Sequence, residues 1–206
     1  AVSGNIVPIT RFGFTAQEEK IVGSKHPLDL YGRLNDLDLE ICLLVDLGCG
    51  FNDSPISAQV LALPVYKLVS VDVFLPALNK IKSLPNAARQ HEVLCIDIDD
   101  APRILGRKNI DIVVLLDCLE HIGKEAGKDL LKALQDTVKR RILIWLPLGV
   151  CPQDEYGGNP YQVHLSTWWV HDLEELGFTV EHFKRFHRHF DPPVDAGWAV
   201  WNRKKP

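Results

Sequence analysis

What most constrains this chain is an alternation. From Asn35 to Arg203, short apolar runs rich in β-branched residues take turns with stretches of helical character. The runs are Ile41 to Asp46, Leu68 to Val73, Glu92 to Ile96, Ile110 to Leu116, Arg141 to Leu146, Phe178 to Phe183 and Trp198 to Asn202. Strands separated by helices pair in parallel, because each helix carries the chain back over a face of the sheet. The last two runs depart from this. They follow one another through the turn-prone Asp191 to Gly197 (D-P-P-V-D-A-G), too short for a crossover helix, so they should pair antiparallel. The pattern predicts an α/β, doubly wound, seven-stranded sheet that ends in a hairpin.

Helix signals lie where this scheme needs them. Ser54 stands before Pro55, Pro76 opens a second helix, and Ser166 precedes Thr167 to Leu176, with Gly177 as the stop. Lys124 to Val138 is the longest candidate, its stripe carried by Leu130, Leu131, Leu134 and Val138. The first forty residues read differently. Thr15-x-x-Glu18 resembles a capping box, and Pro27 to Leu37 carries leucines at mixed spacing. Residues 1–37 are therefore expected to form a cap of one or two helices over the ligand edge of the sheet, with 38–206 as the main domain.

The 206 residues suit one compact domain. Twenty-seven acids against twenty-three Lys and Arg give a net charge of −4, so no general field draws the chain to nucleic acid or an anionic membrane. No apolar run nears the ~20 residues of a membrane span. Nor does the N-terminus carry a signal-peptide pattern, so a soluble, cytoplasmic protein is expected. Five cysteines without a C-x-x-C pair suit reduced thiols in apolar surroundings.

The chemistry is concentrated after the first strand, in V-D-L-G-C-G-F-N-D, Val45 to Asp53. Glycines two apart at a strand-to-helix turn let the backbone approach a ligand at the carboxyl edge of the sheet. In a dinucleotide fingerprint the third glycine would fall at Asp53, whose charge is a poor neighbour for a pyrophosphate. That disfavours a nicotinamide-dependent oxidoreductase. Asp46, two residues before Gly48, suits a ligand bearing positive charge. Asp72 ends the second strand, twenty-two positions after Gly50, where a carboxylate can accept from both hydroxyls of a ribose. Asp97 (C-I-D-I-D) ends the third strand and can accept from an exocyclic amine; Asp117, Glu120 and His121 (L-L-D-C-L-E-H-I) follow the fourth.

These residues resemble the class I S-adenosylmethionine-dependent methyltransferases, over about residues 38 to 203. D-L-G-C-G is similar to their first motif, and D-C-L-E-H-I to the fourth motif of the small-molecule members. The resemblance implies a Rossmann-like sheet of order 3-2-1-4-5-7-6. It implies S-adenosylmethionine as cofactor, with Gly48, Cys49 and Gly50 beneath the methionine moiety and Asp46 facing its ammonium group. Asp72 and Val73 would hold the ribose, Asp97 and Ile98 the adenine, with Asp117 beside them. Asn52 stands where the family often has a third glycine, and asparagine tolerates left-handed dihedrals. The implied reaction is in-line methyl transfer to an oxygen or nitrogen of a small-molecule or sugar-like acceptor. A binding or partner subunit without turnover is the alternative.

The candidates for proton transfer are His121, Glu120 and His164, the last in the long segment after strand five. There Tyr156, Asn159, Tyr161, Gln162 and Trp168 are expected to wall an acceptor pocket. Gly123 to Asp129 is one residue short of a phosphate loop. Neither Asn159-Pro160-Tyr161 nor Cys118 stands in the context of the DNA methyltransferase motifs it resembles. No metal is expected: His182, His187 and His189 lack a carboxylate or cysteine at ligand spacing.

Overall fold

A computed structural model describes residues 26–106 and 109–204. Its strands are β1 (Leu43–Leu47), β2 (Lys67–Asp72), β3 (Gln90–Cys95), β4 (Ile112–Leu116), β5 (Arg141–Leu148), β6 (Thr179–His187) and β7 (Val194–Asn202). They form one sheet in the order β3-β2-β1-β4-β5-β7-β6. β1 to β5 pair in parallel, and β7 runs antiparallel between β5 and β6. Fold class, strand order and terminal hairpin are those expected.

Period-two alternation sorts the strand residues between two apolar layers. In β4, Val113 and Leu115 enter one layer, while Ile112, Val114 and Leu116 enter the other. The first layer is closed by α3 (Ala101–Leu105), α4 (Lys124–Thr137) and α5 (Val170–Glu175), the second by α1 (Ser57–Leu61) and α2 (Leu75–Ser83). The expected stripe of α4 is buried at Leu130, Leu131 and Leu134, each worth about 1.5–3 kcal/mol relative to exposure. β7 begins four residues earlier than the sequence suggests. Ala196 and Gly197 look like turn residues, but their small size serves packing: a Cβ on Gly197 would come within 2.6 Å of Leu148 Cδ1.

The Thr15-x-x-Glu18 box lies outside the described residues. Pro27 to Leu37 is not a regular helix; only Tyr31–Arg33 make a 3₁₀ turn. Asp29 competes for the local backbone, its Oδ1 accepting from Gly32 N at 2.7 Å. Leu30 and Leu34 enter the second layer beside Trp145 and Trp198. Arg33, buried at 4% exposure, reaches Glu181 at 2.5 Å and lies over the Trp198 ring. Arg141, the first residue of β5, grips Asp36 through two bonds of 2.7 Å. Residues 26–37 therefore lie along a sheet face, bonded to Gln59 of α1 and to the amino end of β5, and none of them lines the cavity at the carboxyl edge. Among the described residues, no helix is long and apolar enough to cross a membrane.

Candidate active site

A cavity of about 590 Å³ opens at the carboxyl ends of β1 to β4, within the ~300–1,000 Å³ of small-molecule sites. Its floor is the turn after β1. Gly48 N and Cys49 N donate to Val71 O at 2.8 and 3.0 Å, bending the chain across the tip of β2. Gly48, Gly50 and Asn52 all have left-handed φ, of 71°, 54° and 56°. The two glycines serve different ends. A Cβ on Gly48 would meet Cys118 Sγ at 2.3 Å, so this glycine lets the tips of β1 and β4 close together. A Cβ on Gly50 would meet nothing within 4 Å, so this glycine leaves the floor open. Asp53 lines the same cavity.

Asp72 closes the second side. Its Oδ2 accepts from Gly50 N at 2.9 Å and its Oδ1 from Phe74 N at 2.8 Å. The carboxylate is thus oriented before any ligand arrives, and each oxygen keeps accepting capacity. Cys49, Val73, Asp97, Ile98, Asp117 and His121 also line the cavity. Asp46 is not on the wall: it is buried beneath the turn at 5% exposure. Burial first, then the charge of Asp72, pushes its carboxyl up to about 7.

The other side is built by the tip of β4 and the segment after β5. Asp117 leaves the strand with φ 49°, its N–H held by Trp145 O at 2.8 Å. The 3₁₀ turn Leu119–His121 follows. Glu120 O accepts from Leu165 N at 2.8 Å and Ser166 N at 3.1 Å, fastening this turn to the later segment. The fastening brings His164 beside Glu120 and His121. One ligand-capable atom each from Glu120, His121 and His164 lies within 4.8 Å of the others. The two rings meet edge to face at 4.8 Å. Of the three, His121 lines the cavity, and Glu120 and His164 are not on its wall.

Nδ1 of His121 faces Val163 O at 3.2 Å, and Nδ1 of His164 faces Cys151 O at 2.5 Å. A carbonyl only accepts, so Nδ1 carries the proton in both neutral rings and Nε2 holds the lone pair. Burial, then the neighbouring His164, pushes His121 down to about 4; burial also lowers His164. Both rings are therefore neutral at pH 7, and His121 is a weak proton acceptor. Burial raises the carboxyls of Asp117 and Glu120, and the charge of Asp117 raises Glu120 further.

Tyr156, Asn159, Tyr161 and Gln162 line the cavity as expected, but Trp168 does not. It is a core residue at 1% exposure, seated over Gly127, where a Cβ would come within 2.7 Å of its ring. The histidine-rich strand also differs from expectation. His182 does have a carboxylate beside it, Asp195 at 2.6 Å across the hairpin, and His189 falls beyond the end of β6. Sequence reasoning missed Phe51 and Ile122 on the cavity wall; no spacing signal distinguishes them from core residues.

No protein-family model and no curated protein matches the chain. Solved structures do. The small RNA methyltransferase HEN1 superposes with a TM-score of 0.59 at 14% identity over 85% of this chain, which spans only 25% of the HEN1 chain. Magnesium protoporphyrin IX methyltransferase from Synechocystis PCC 6803, solved with bound SAH, gives 0.53 at 16% identity, covering 84% of this chain and 80% of that one. A SAM-dependent methyltransferase from Archaeoglobus fulgidus gives 0.55 at 16% identity, covering 83% and 91%. The fold is that of the Rossmann-like methyltransferases.

Proposed function

We propose that this chain binds S-adenosylmethionine in the cavity and transfers its methyl group to an oxygen or nitrogen of a small-molecule or sugar-like acceptor. The observation that carries this reading is Asp72: a carboxylate pre-oriented by two backbone N–H groups, beside a glycine with open space above it. Two such oxygens suit the paired hydroxyls of a ribose. Asp97 would accept from the adenine amine, with Val73 and Ile98 as apolar contacts. Asp46 lies behind the turn with its carboxyl held up at about 7, and an ammonium group bound nearby would draw it toward its ionised form. The carboxylate of Asp53 on the wall speaks against a pyrophosphate there.

When bound, S-adenosylmethionine supplies a methyl carbon already activated by its positive sulfur. What remains for the chain is alignment, which is worth roughly 7–11 kcal/mol, against ~10²–10⁴-fold for a positioned base. Tyr156, Tyr161, Asn159 and Gln162 give the acceptor two aromatic surfaces and polar groups to fix its orientation. His121 lines the same space, and Glu120 and His164 stand next to it. The test is transfer of isotopically labelled methyl from S-adenosylmethionine to a panel of hydroxylated and aminated small molecules. A labelled product supports the reading. Cofactor binding with no product from any class would favour a binding subunit instead.

A further inference from the structure

We propose that Glu120, His121 and His164 form a site for one divalent first-row transition-metal ion on the acceptor side of the cavity. Three features of the site point to an ion. Both histidines have Nδ1 committed to backbone carbonyls, Val163 O and Cys151 O. This is the outer-shell arrangement that orients a metal-binding imidazole and leaves Nε2 as the donor. Glu120 is 2% exposed, and its Oε2 is buried with no hydrogen-bond partner. A buried carboxylate oxygen left this way costs stability unless something satisfies it. One ring nitrogen from each histidine and a Glu120 oxygen already lie within 4.8 Å of one another. Bonds of about 2.1 Å place tetrahedral ligands roughly 3.4 Å apart, so rotation of the side chains by an ångström or so completes the site.

The donor set selects the class of ion. Two imidazoles and one carboxylate suit zinc, iron, cobalt or manganese better than magnesium or calcium, which prefer all-oxygen shells. Three protein ligands also leave positions open, as in catalytic rather than structural sites. His121 lines the cavity, so an ion bound to it would lie next to the acceptor space. A water or a hydroxyl oxygen of the acceptor would fill the open positions, and coordination would acidify that oxygen. This last step rests on the methyl-transfer reading; the site itself does not.

The test uses the full chain, stripped with a chelator and titrated separately with Zn²⁺, Co²⁺, Mn²⁺ and Mg²⁺ by calorimetry, with the melting midpoint followed alongside. The expected result is one ion per chain, tighter for the transition metals than for Mg²⁺, and a midpoint that rises with ion concentration. Glu120→Gln and His164→Ala should each weaken binding at least tenfold. Should the histidine variant fail to fold, Glu120→Gln decides alone, since it keeps the shape of the side chain and removes one carboxylate oxygen donor. Absence of saturable binding, or binding unchanged in Glu120→Gln, overturns the site. So does a cobalt spectrum showing thiolate-to-metal charge transfer, which would put the ion on cysteine. S-adenosylhomocysteine titrated into the same samples keeps the two readings apart: its failure to bind refutes the proposed function and leaves the ion result standing.

Discussion

Asp46→Asn offers a measurement of the electrostatics under the glycine turn. Asp46 is buried, and its carboxyl is held up at about 7 against an ordinary 3.8, by burial first and Asp72 second. The folded state therefore keeps a proton that the unfolded chain has already released between these pH values. A raised acid contributes its stability fully below 3.8 and loses it as pH rises toward 7. Each unit of difference is worth ~1.36 kcal/mol, so the total loss is about 4 kcal/mol. Asparagine does not titrate and lacks this loss. In urea unfolding of the ligand-free protein, the stability of Asp46→Asn minus that of the parent should rise by about 4 kcal/mol between pH 4 and 7 and level off above it. Other titrating groups largely cancel in the difference. A difference that stays constant across this range would mean that Asp46 is charged throughout, and the dehydrated site inferred here would be wrong.

Gly48→Ala should cost about 2–5 kcal/mol, from the left-handed φ and the Cys118 clash together. Adding Cys118→Ala should recover the clash portion, visible as coupling in a double-mutant cycle of unfolding free energies. Asn52→Gly should stabilise by no more than about 1 kcal/mol, because φ of 56° already suits asparagine moderately well; a large loss would show that its side chain is needed. Arg33→Ala should cost about 2–4 kcal/mol in denaturant unfolding, since Arg33 bonds His26 O, Asp29 O and Glu181 and stacks on Trp198. Arg33→Met keeps the stem packed and should lose less.

The parts of this fold that were legible in the sequence are those set by short-range periodicity. Buried parallel strands need continuous apolar residues, so β1 to β5 announce themselves, and the short connection before β7 dictates a hairpin. Asp72 was legible because its distance from Gly50 follows from the length of one strand–helix–strand unit. What was lost depends on contacts between distant segments. Gly127 gives no sign that Trp168 will sit on it, which is why that ring was placed in the acceptor pocket. Leucines at mixed spacing in 27–37 allow a helix, but where they point is decided by Arg33, Asp36 and Arg141 anchoring the segment to the sheet. Glu120 and His164 are forty-four positions apart, and they are brought together by bonds between their segments, from Leu165 and Ser166 to Glu120 O and between His121 and Val163 O. Read separately, each was an isolated candidate base; side by side, they form the ligand set proposed above.

Titration calorimetry with S-adenosylhomocysteine on the parent chain and on Asp72→Ala tests the central claim most directly. One site per chain should be found, with binding weakened by about 1.5–3 kcal/mol in the variant, the scale of hydrogen bonds to a charged group, or roughly 10- to 150-fold. No binding to the parent, equal binding by a well-folded Asp72→Ala, or binding of NAD in its place would contradict it.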